Sequence, residues 1–422
     1  MTTAKDRLIA ACRAAFKPNL PRAIGVAVSG GSDSVALLHG LYWALQDQNV
    51  DIHVATVDHG LRPEAAAEAQ FVADLSLRLG LSHKTLCWDE PRGAGNLQAR
   101  ARAARYDLLS AWANENHIDA LVLGHTADDQ AETVLMRMRR EAGVNGLAGI
   151  APRRTLGRLD LLRPMLGLRR EDLRDVLRQE NVSWVDDPSN EDECFERVRT
   201  RKALATLADL GIPADAFSRV AENLSQARKA LDWYSFLAAD DVISTRAGAV
   251  VISQREFRVL PQEIAHRLIA QSVQWLTGDG YVPRRGAMQD AIKAVQRGEG
   301  FTFSGCRILS RRGVSWLFRE YNALADLTAR PGQAWDGRWL MHGGVIAGDE
   351  TQKCELRPLS AAGLRFCPQW REQDCPGEVL QTTPSLWQND ELLAAPCAGM
   401  ANGWAVSLIK PEEALFSSFL TH

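Results

Sequence analysis

Six consecutive residues, Ser29-Gly30-Gly31-Ser32-Asp33-Ser34, set hydroxyls, two glycines and one carboxylate between the apolar runs Ala23 to Val28 and Val35 to Leu38. Glycines adopt backbone conformations closed to other residues and let an anion approach the main chain. A turn that closes a strand and opens a helix aims its N–H groups, and the positive end of the helix dipole, at one point. The stretch therefore predicts a phosphate-binding turn with Ser29, Gly30, Gly31, Ser32 and Ser34 as donors. Asp33 does not suit an anion, because a carboxylate beside phosphate repels it unless a cation lies between them. Asp33 is thus a candidate Mg²⁺ ligand. No Lys follows the glycines, so this is not a Walker A loop, and the spacing is not GxGxxG. The plainer alternative is a strand-to-helix turn with a serine cap.

A second acidic group lies in "GHTADDQAET", Gly124 to Thr133, after the apolar run Ala120 to Leu123. Asp128, Asp129 and Glu132 fall within little more than one helical turn, and Asp129 and Glu132, three apart, share a face. Carboxylates this close repel, and a metal ion or a cationic substrate relieves the repulsion; helix-start acids also serve simply as dipole partners. Asp58 and His59 sit at another strand end, where they either cap a turn or face the same site. Arg102 and Arg105 lie within one turn of "NLQARARAARY", Asn96 to Tyr106. From Arg137 to Arg178 there are eleven Arg against five acids, an excess of six that reads as either a phosphate-backbone footprint or a solvated, ion-paired face.

These groups need a scaffold. The first two hundred residues alternate short apolar runs (Ala23 to Val28, Asp51 to Val57, His83 to Trp88, Asp119 to Gly124) with amphipathic segments. Such alternation predicts βαβ units and a mainly parallel sheet, an α/β fold that binds ligands outside the carboxyl ends of its strands. After Gly211-Ile212-Pro213 the spacing becomes helical over Ala214 to Ala239, Gln262 to Thr277 and Gly286 to Arg297. Beyond "TARPGQAW", Thr328 to Trp335, a Trp- and Gly-rich tail reads as a small α+β domain whose Trp335, Trp339, Trp387 and Trp404 belong to its core. The expected domains are 1–212, 213–328 and 329–422.

Composition narrows the class. The chain has 422 residues, 46% hydrophobic and 24% charged, with net charge -3, so any nucleic-acid partner must be met by a local basic face. No run reaches the length of a membrane helix, and Lys5, Asp6, Arg7 and Arg13 interrupt the start; the expectation is a cytoplasmic enzyme. Eight cysteines with no CxxC pair argue against a zinc ribbon, an iron-sulfur site or a disulfide framework.

Taken together, the motifs resemble a known family. Ser29 to Ser34 looks like the SGGxDS signature of the PP-loop ATP pyrophosphatases, which cut ATP between the α and β phosphates. "VDHGLR" with its downstream helix, "ARAARY", "GHTADDQAET" and "DDPSNEDECFERVRTR" are similar to one branch, the tRNA(Ile)-lysidine synthetases. The likeness is strong over residues 20–205 and weaker through "ELRPLSAAGL" and "TTPSLWQNDELLAAP". Three positions depart from the pattern: in the Gly-rich loop Glu141 stands for a usual Gly and Ile150 for a usual Met, and Val198 stands for a usual Asn.

The resemblance implies an N-terminal PP-loop domain followed by a helical domain and a small α+β C-terminal domain, the latter two engaging tRNA. It implies ATP and Mg²⁺ as cofactors, with nucleotide contacts from Ser29 to Ser34, His59, Gly124 and His125, and metal ligation by Asp33 and Asp129. Asp33, Arg105, Asp129 and Glu132 become the catalytic set, and Arg137, Arg139, Arg140, Arg197, Arg199 and Arg201 the tRNA contacts. The implied reaction adenylates C2 of the wobble cytidine of tRNA(Ile) with a CAU anticodon, then joins L-lysine there, changing codon reading from AUG to AUA. Glu132 or Asp128 could take the lysine proton, and a homodimer is possible. The competing readings are a PP-loop tRNA thiolase, disfavoured by the dispersed cysteines, a GMP-synthetase-like amidotransferase, disfavoured because no glutaminase-type Cys domain is evident, and a non-catalytic nucleotide-sensing, RNA-binding module, disfavoured by the intact carboxylates.

Overall fold

The computed structural model describes residues 2–60, 64–88, 97–186, 196–278, 283–344 and 354–420. Leu61 and Arg62 of the VDHGLR motif, Asn96, and Asp187 to Asn190 of the DPSN segment lie outside the described residues. The chain packs as two compact units, Met1–Arg228 and Lys229–His422. No helix among the described residues is long and apolar enough to cross a membrane.

In the first unit, α1 (Ala4–Ala14) precedes β1 (Ala23–Ala27), α2 (Ser32–Leu45), β2 (Asp51–Asp58), α3 (Ala65–Arg78), β3 (Ser82–Cys87), α4 (Leu97–Glu115) and β4 (Ala120–Leu123). Then follow α5 (Ala127–Met138), α6 (Val144–Leu147), β5 (Arg153–Leu156), β6 (Leu159–Leu162), α7 (Arg170–Gln179) and α8 (Glu196–Asp209). The sheet order is β3-β2-β1-β4-β6-β5, parallel except for the antiparallel edge pair β5 and β6. This is the predicted α/β sheet; β5 and β6, only four residues each, were not expected.

Side chains alternate across β1. Ile24 and Val26 enter a core with Leu8, Leu37, Leu41 and Leu177 on one face, while Ala27 joins Leu109, Trp112 and Leu121 on the other. Gly25 lacks a side chain for a visible reason: a Cβ there would come within 2.8 Å of the Trp112 ring. Successive strands run outward from β1 to β3 on one side, and β4 then lies on the other. The order reverses at β1 and β4, the position where open α/β sheets form a ligand crevice.

Helix α9 (Ala214–Val242) is one continuous element whose first residues belong to the first unit. The second unit contains β7 (Ile243–Arg246), β8 (Ala249–Ser253), α10 (Gln254–Arg258), α11 (Gln262–Thr277), α12 (Arg285–Arg297), β9 (Phe301–Phe303), β10 (Cys306–Arg311) and β11 (Val314–Arg319). The three helices read from the sequence form, and an antiparallel sheet in the order β7-β8-β11-β10-β9 lies among them. That sheet was not anticipated. Its hairpins turn at Ala247-Gly248, Ser304-Gly305 and Arg312-Gly313, with positive φ at both positions of each pair, the geometry of two-residue hairpins. The tail is strand-rich, with β12 (Trp339–Gly343) pairing a later strand Trp404–Leu408, and Cys354–Pro358 pairing Pro384–Gln388. Trp335, Trp339 and Trp387 are buried there, as expected, and Trp404 is half-buried.

Candidate active site

The turn after β1 and the turn after β4 meet at the sheet's reversal point. Gly30 has φ +90°, and Gly31 caps α2 from an extended conformation without a side-chain bond, so the first N–H groups of the helix stay available. The hydroxyls shape the turn: Ser34 Oγ donates to the Gly31 carbonyl at 2.9 Å and accepts from the Ser29 N–H at 3.1 Å. The Val185 N–H fastens the Gly30 carbonyl at 3.0 Å. Gly124, at the end of β4, packs directly on this turn, where a Cβ would lie 3.1 to 3.2 Å from Ser34 Cα, Asp33 O and Ser34 N. Its role is close approach between the two turns.

Helix α5 begins with a capping box. Thr126 N–H and Oγ both donate to Asp129 Oδ2 at 2.9 Å, while Thr126 Oγ accepts from the Asp129 N–H at 3.4 Å. The cap fixes Asp129 toward Asp33. Between these two carboxylates lies a residue that sequence reasoning left among the basic stretch: Arg170, the first residue of α7. Its Nε donates to Asp33 Oδ2 at 2.8 Å, its Nη2 lies 3.6 Å from Asp129 Oδ2, and its backbone N–H donates to Asp128 Oδ2 at 2.7 Å. One turn later Arg174 Nε reaches Ser32 Oγ at 3.3 Å and Nη2 reaches Asp186 at 3.3 Å. The signal was present in Arg169-Arg170-Glu171-Asp172-Leu173-Arg174, but nothing in the spacing tied it to Asp33, 137 residues away.

The electrostatics follow. Burial pushes the Asp33 carboxyl above its ordinary value despite Arg170. Burial also pushes Asp129 up, but Arg170, the Thr126 bonds and His125 outweigh it and hold it low. Two acidic groups gathered around a single cationic point fit a magnesium ion, which takes one or two carboxylates and completes its shell with phosphate oxygens and water. Among the described residues no cluster of three or more His, Cys, Asp or Glu is gathered.

Glu132, one turn along α5, is 1% exposed in its side chain. Arg201 of α8 donates through Nε to Glu132 Oε1 at 2.6 Å, and Arg197 Nε lies 3.9 Å from Oε2. Oε2 is buried with no hydrogen-bond partner among the described residues. Burial raises the Glu132 pKa, against the pull of Arg201. Arg197 and Arg201, four apart, share the face turned to Glu132, whereas Arg199 points outward and is exposed. Val198 is buried, so its apolar side chain suits its place.

Arg105 of α4 is half-buried near Arg102, Tyr106 and Arg197; burial lowers its pKa, and among the described residues no carboxylate pairs with it. His59 and His125 complete the surroundings. Burial lowers both, His125 to about 4, so both rings are neutral at pH 7, and each has a buried Nδ1 without a partner among the described residues. Arg137 is committed elsewhere, donating to the carbonyls of Gly146 at 2.7 Å and Gly149 at 2.9 Å. Gln130 clamps the same loop, bonding the Ile150 N–H at 2.5 Å and its carbonyl at 3.1 Å. Arg139 and Arg140 converge on Glu196 yet remain about two-thirds exposed, at 65% and 62%. Glu141 has φ +54°, a left-handed conformation in which glycine is the natural occupant.

A PP-loop domain model matches residues 5–208. The chain is 47% identical over 422 residues, all of both chains, to a tRNA(Ile)-lysidine synthase of Ruegeria pomeroyi. This chain belongs to the tRNA(Ile)-lysidine synthase family. Lysidine synthases of Wolbachia pipientis (31% identical, 88% of each chain) and Rhizobium meliloti (32% identical, 95% of this chain and 88% of the relative) are also similar. Membership in the lysidine synthases makes the chain an ATP-using enzyme with a PP-loop domain.

Proposed function

We propose that this chain joins L-lysine to C2 of the wobble cytidine in tRNA(Ile) bearing CAU, forming lysidine at the expense of ATP. The observation that carries this reading is full-length similarity to a lysidine synthase, combined with a site that gathers an anion turn, two converging carboxylates and a separate buried glutamate. ATP would lay its phosphates on Ser29 to Ser34, within reach of the α2 N-terminus. Asp33 and Asp129 would hold Mg²⁺, which supplies charge neutralisation at the phosphates when bound.

In the first step the cytidine O2 attacks the α-phosphorus and pyrophosphate leaves. Arg105, cationic and not paired with a described carboxylate, is suited to the charge developing on the α-phosphate. In the second, the lysine amine attacks C2 and AMP departs with that oxygen. The attacking amine must shed a proton. Glu132 Oε2, buried and unpartnered among the described residues, suits that proton better than Asp128, whose Oδ2 is occupied by the Arg170 N–H.

For the polyanionic tRNA we assign Arg137, Arg139, Arg140, Arg197, Arg199 and Arg201, with further contacts from segments 213–328 and 329–422. Within this set, exposed Arg139, Arg140 and Arg199 are the freest to meet phosphates, and Arg137 acts through the loop it fastens. The test is incorporation of labelled lysine into a tRNA(Ile) transcript with CAU, in the presence of ATP and Mg²⁺. ATP-dependent incorporation that disappears in Asp33→Ala supports the reading. Conversion of ATP to AMP without lysine incorporation sinks the substrate assignment.

A further inference from the structure

The position of Arg170 has a consequence for the order in which metal and nucleotide bind. A single guanidinium lies against both carboxylates proposed to hold Mg²⁺, through Nε to Asp33 Oδ2 at 2.8 Å and Nη2 toward Asp129 Oδ2 at 3.6 Å. The second contact is too long for a hydrogen bond, so the side chain is fixed at one end and held only by charge at the other. Its main chain is anchored independently by Asp128, so the side chain can change partners without moving α7. Arg174, four residues on, places a second guanidinium at Ser32 of the anion turn.

A divalent ion that ligates Asp33 must either take Oδ2 from Arg170 or use Oδ1 with the guanidinium close beside it. If the ion enters alone, Arg170 either loses that partner or keeps it with a like charge at close range, and both arrangements are unfavourable in a partly buried site. If the ion enters with a polyphosphate, Arg170 can transfer to phosphate oxygens held at the adjacent turn, beside Arg174. We infer that Arg170 is an exchangeable counter-cation that excludes free metal from the Asp33–Asp129 pair and couples metal entry to the nucleotide. The proposal rests on the ATP-using site described above.

The experiment measures Mn²⁺ binding to the full chain by electron paramagnetic resonance, with and without an α,β-methylene ATP analogue, for the parent, Arg170→Gln and Arg170→Lys. Arg170→Gln should bind Mn²⁺ alone at least tenfold more tightly than the parent, and the enhancement of Mn²⁺ affinity by the analogue should shrink by a similar factor. Arg170→Lys, which keeps the charge but cannot span both carboxylates, should fall between the two. If Arg170→Gln does not fold, as judged by circular dichroism, the Lys variant decides. Unchanged or weaker Mn²⁺ affinity in a folded variant overturns the inference. The metal-only comparison needs neither turnover nor tRNA, so failure of the lysidine assignment would appear separately, as absent lysine incorporation with the Mn²⁺ result intact.

Discussion

Arg201 Nε lies 2.6 Å from Oε1 of Glu132, and the carboxylate it holds is 1% exposed, so the first arginine turn of α8 is tied to the acid that faces the site from α5. Removing one partner of a buried ion pair strands the other and costs about 3–5 kcal/mol; with Arg201 one-third exposed and Arg197 nearby, about 2 kcal/mol is the reasonable expectation. Arg201→Ala should therefore lower the thermal midpoint, whereas Arg199→Ala, on the exposed side of the same helix, should leave it within a degree.

Glu132→Gln separates the two chemical steps. The amide keeps the shape but cannot take a proton from the lysine amine. Pyrophosphate release with tRNA and ATP should persist within a few-fold, while lysine incorporation drops by about 10²-fold or more. Equal loss of both would place Glu132 in the adenylation step instead.

Gly124→Ala should weaken ATP binding without unfolding the protein. The added Cβ meets main-chain atoms of Asp33 and Ser34 at 3.1 to 3.2 Å, and backbone cannot yield as a side chain can. A rise of several-fold in the KM for ATP, with the thermal midpoint nearly unchanged, is the expected pattern; an unchanged KM would mean the two turns can part without consequence.

Glu141→Gly should stabilise the chain. A non-glycine residue in the left-handed region costs about 1–2 kcal/mol, partly offset by the entropy glycine brings to the unfolded state. At φ +54° and exposed, Glu141 has little to lose. Urea denaturation should show a gain of about 0.5–1 kcal/mol.

Acid should begin to destabilise the first unit as pH falls below 6.5. His39, His59, His83 and His125 all have folded pKa values depressed below 6.5, burial being the leading cause in each. In the unfolded chain they take up protons near pH 6.5, so their contribution is fully present above that pH and is lost as pH falls toward the folded values. For His125 the window reaches down to about 4. His39→Leu, beside the Trp43 ring, should reduce the slope of stability as pH falls below 6.5; an unaltered slope would remove His39 from this account.

Much of the first unit was legible because its signals are local. Alternating apolar runs announced β1 to β4, and the glycine-serine turn and the acids of α5 were each readable within ten residues. What could not be read was mutual: Arg170 with Asp33, Arg201 with Glu132, and Gln130 with the Ile150 loop are pairings created by topology. The five-stranded sheet of the second unit escaped for another reason. Its strands are three to six residues long, too short for a clear period-two pattern, although the turn pairs ending in Gly248, Gly305 and Gly313 were a hairpin signal available beforehand.

The strand order also has a bearing on how the protein comes into being. Asp33 is made early, Asp129 nearly a hundred residues later, and the arginine that balances them later still, at position 170. Contacts of such long range close later than those within one helix or hairpin. A growing chain that has emerged only as far as β4 therefore has the anion turn but neither Asp129 nor its counter-charge. Competence to handle nucleotide thus arrives only after the sheet is complete, and ATP analogue binding by chains of increasing length would rise abruptly once α7 is included.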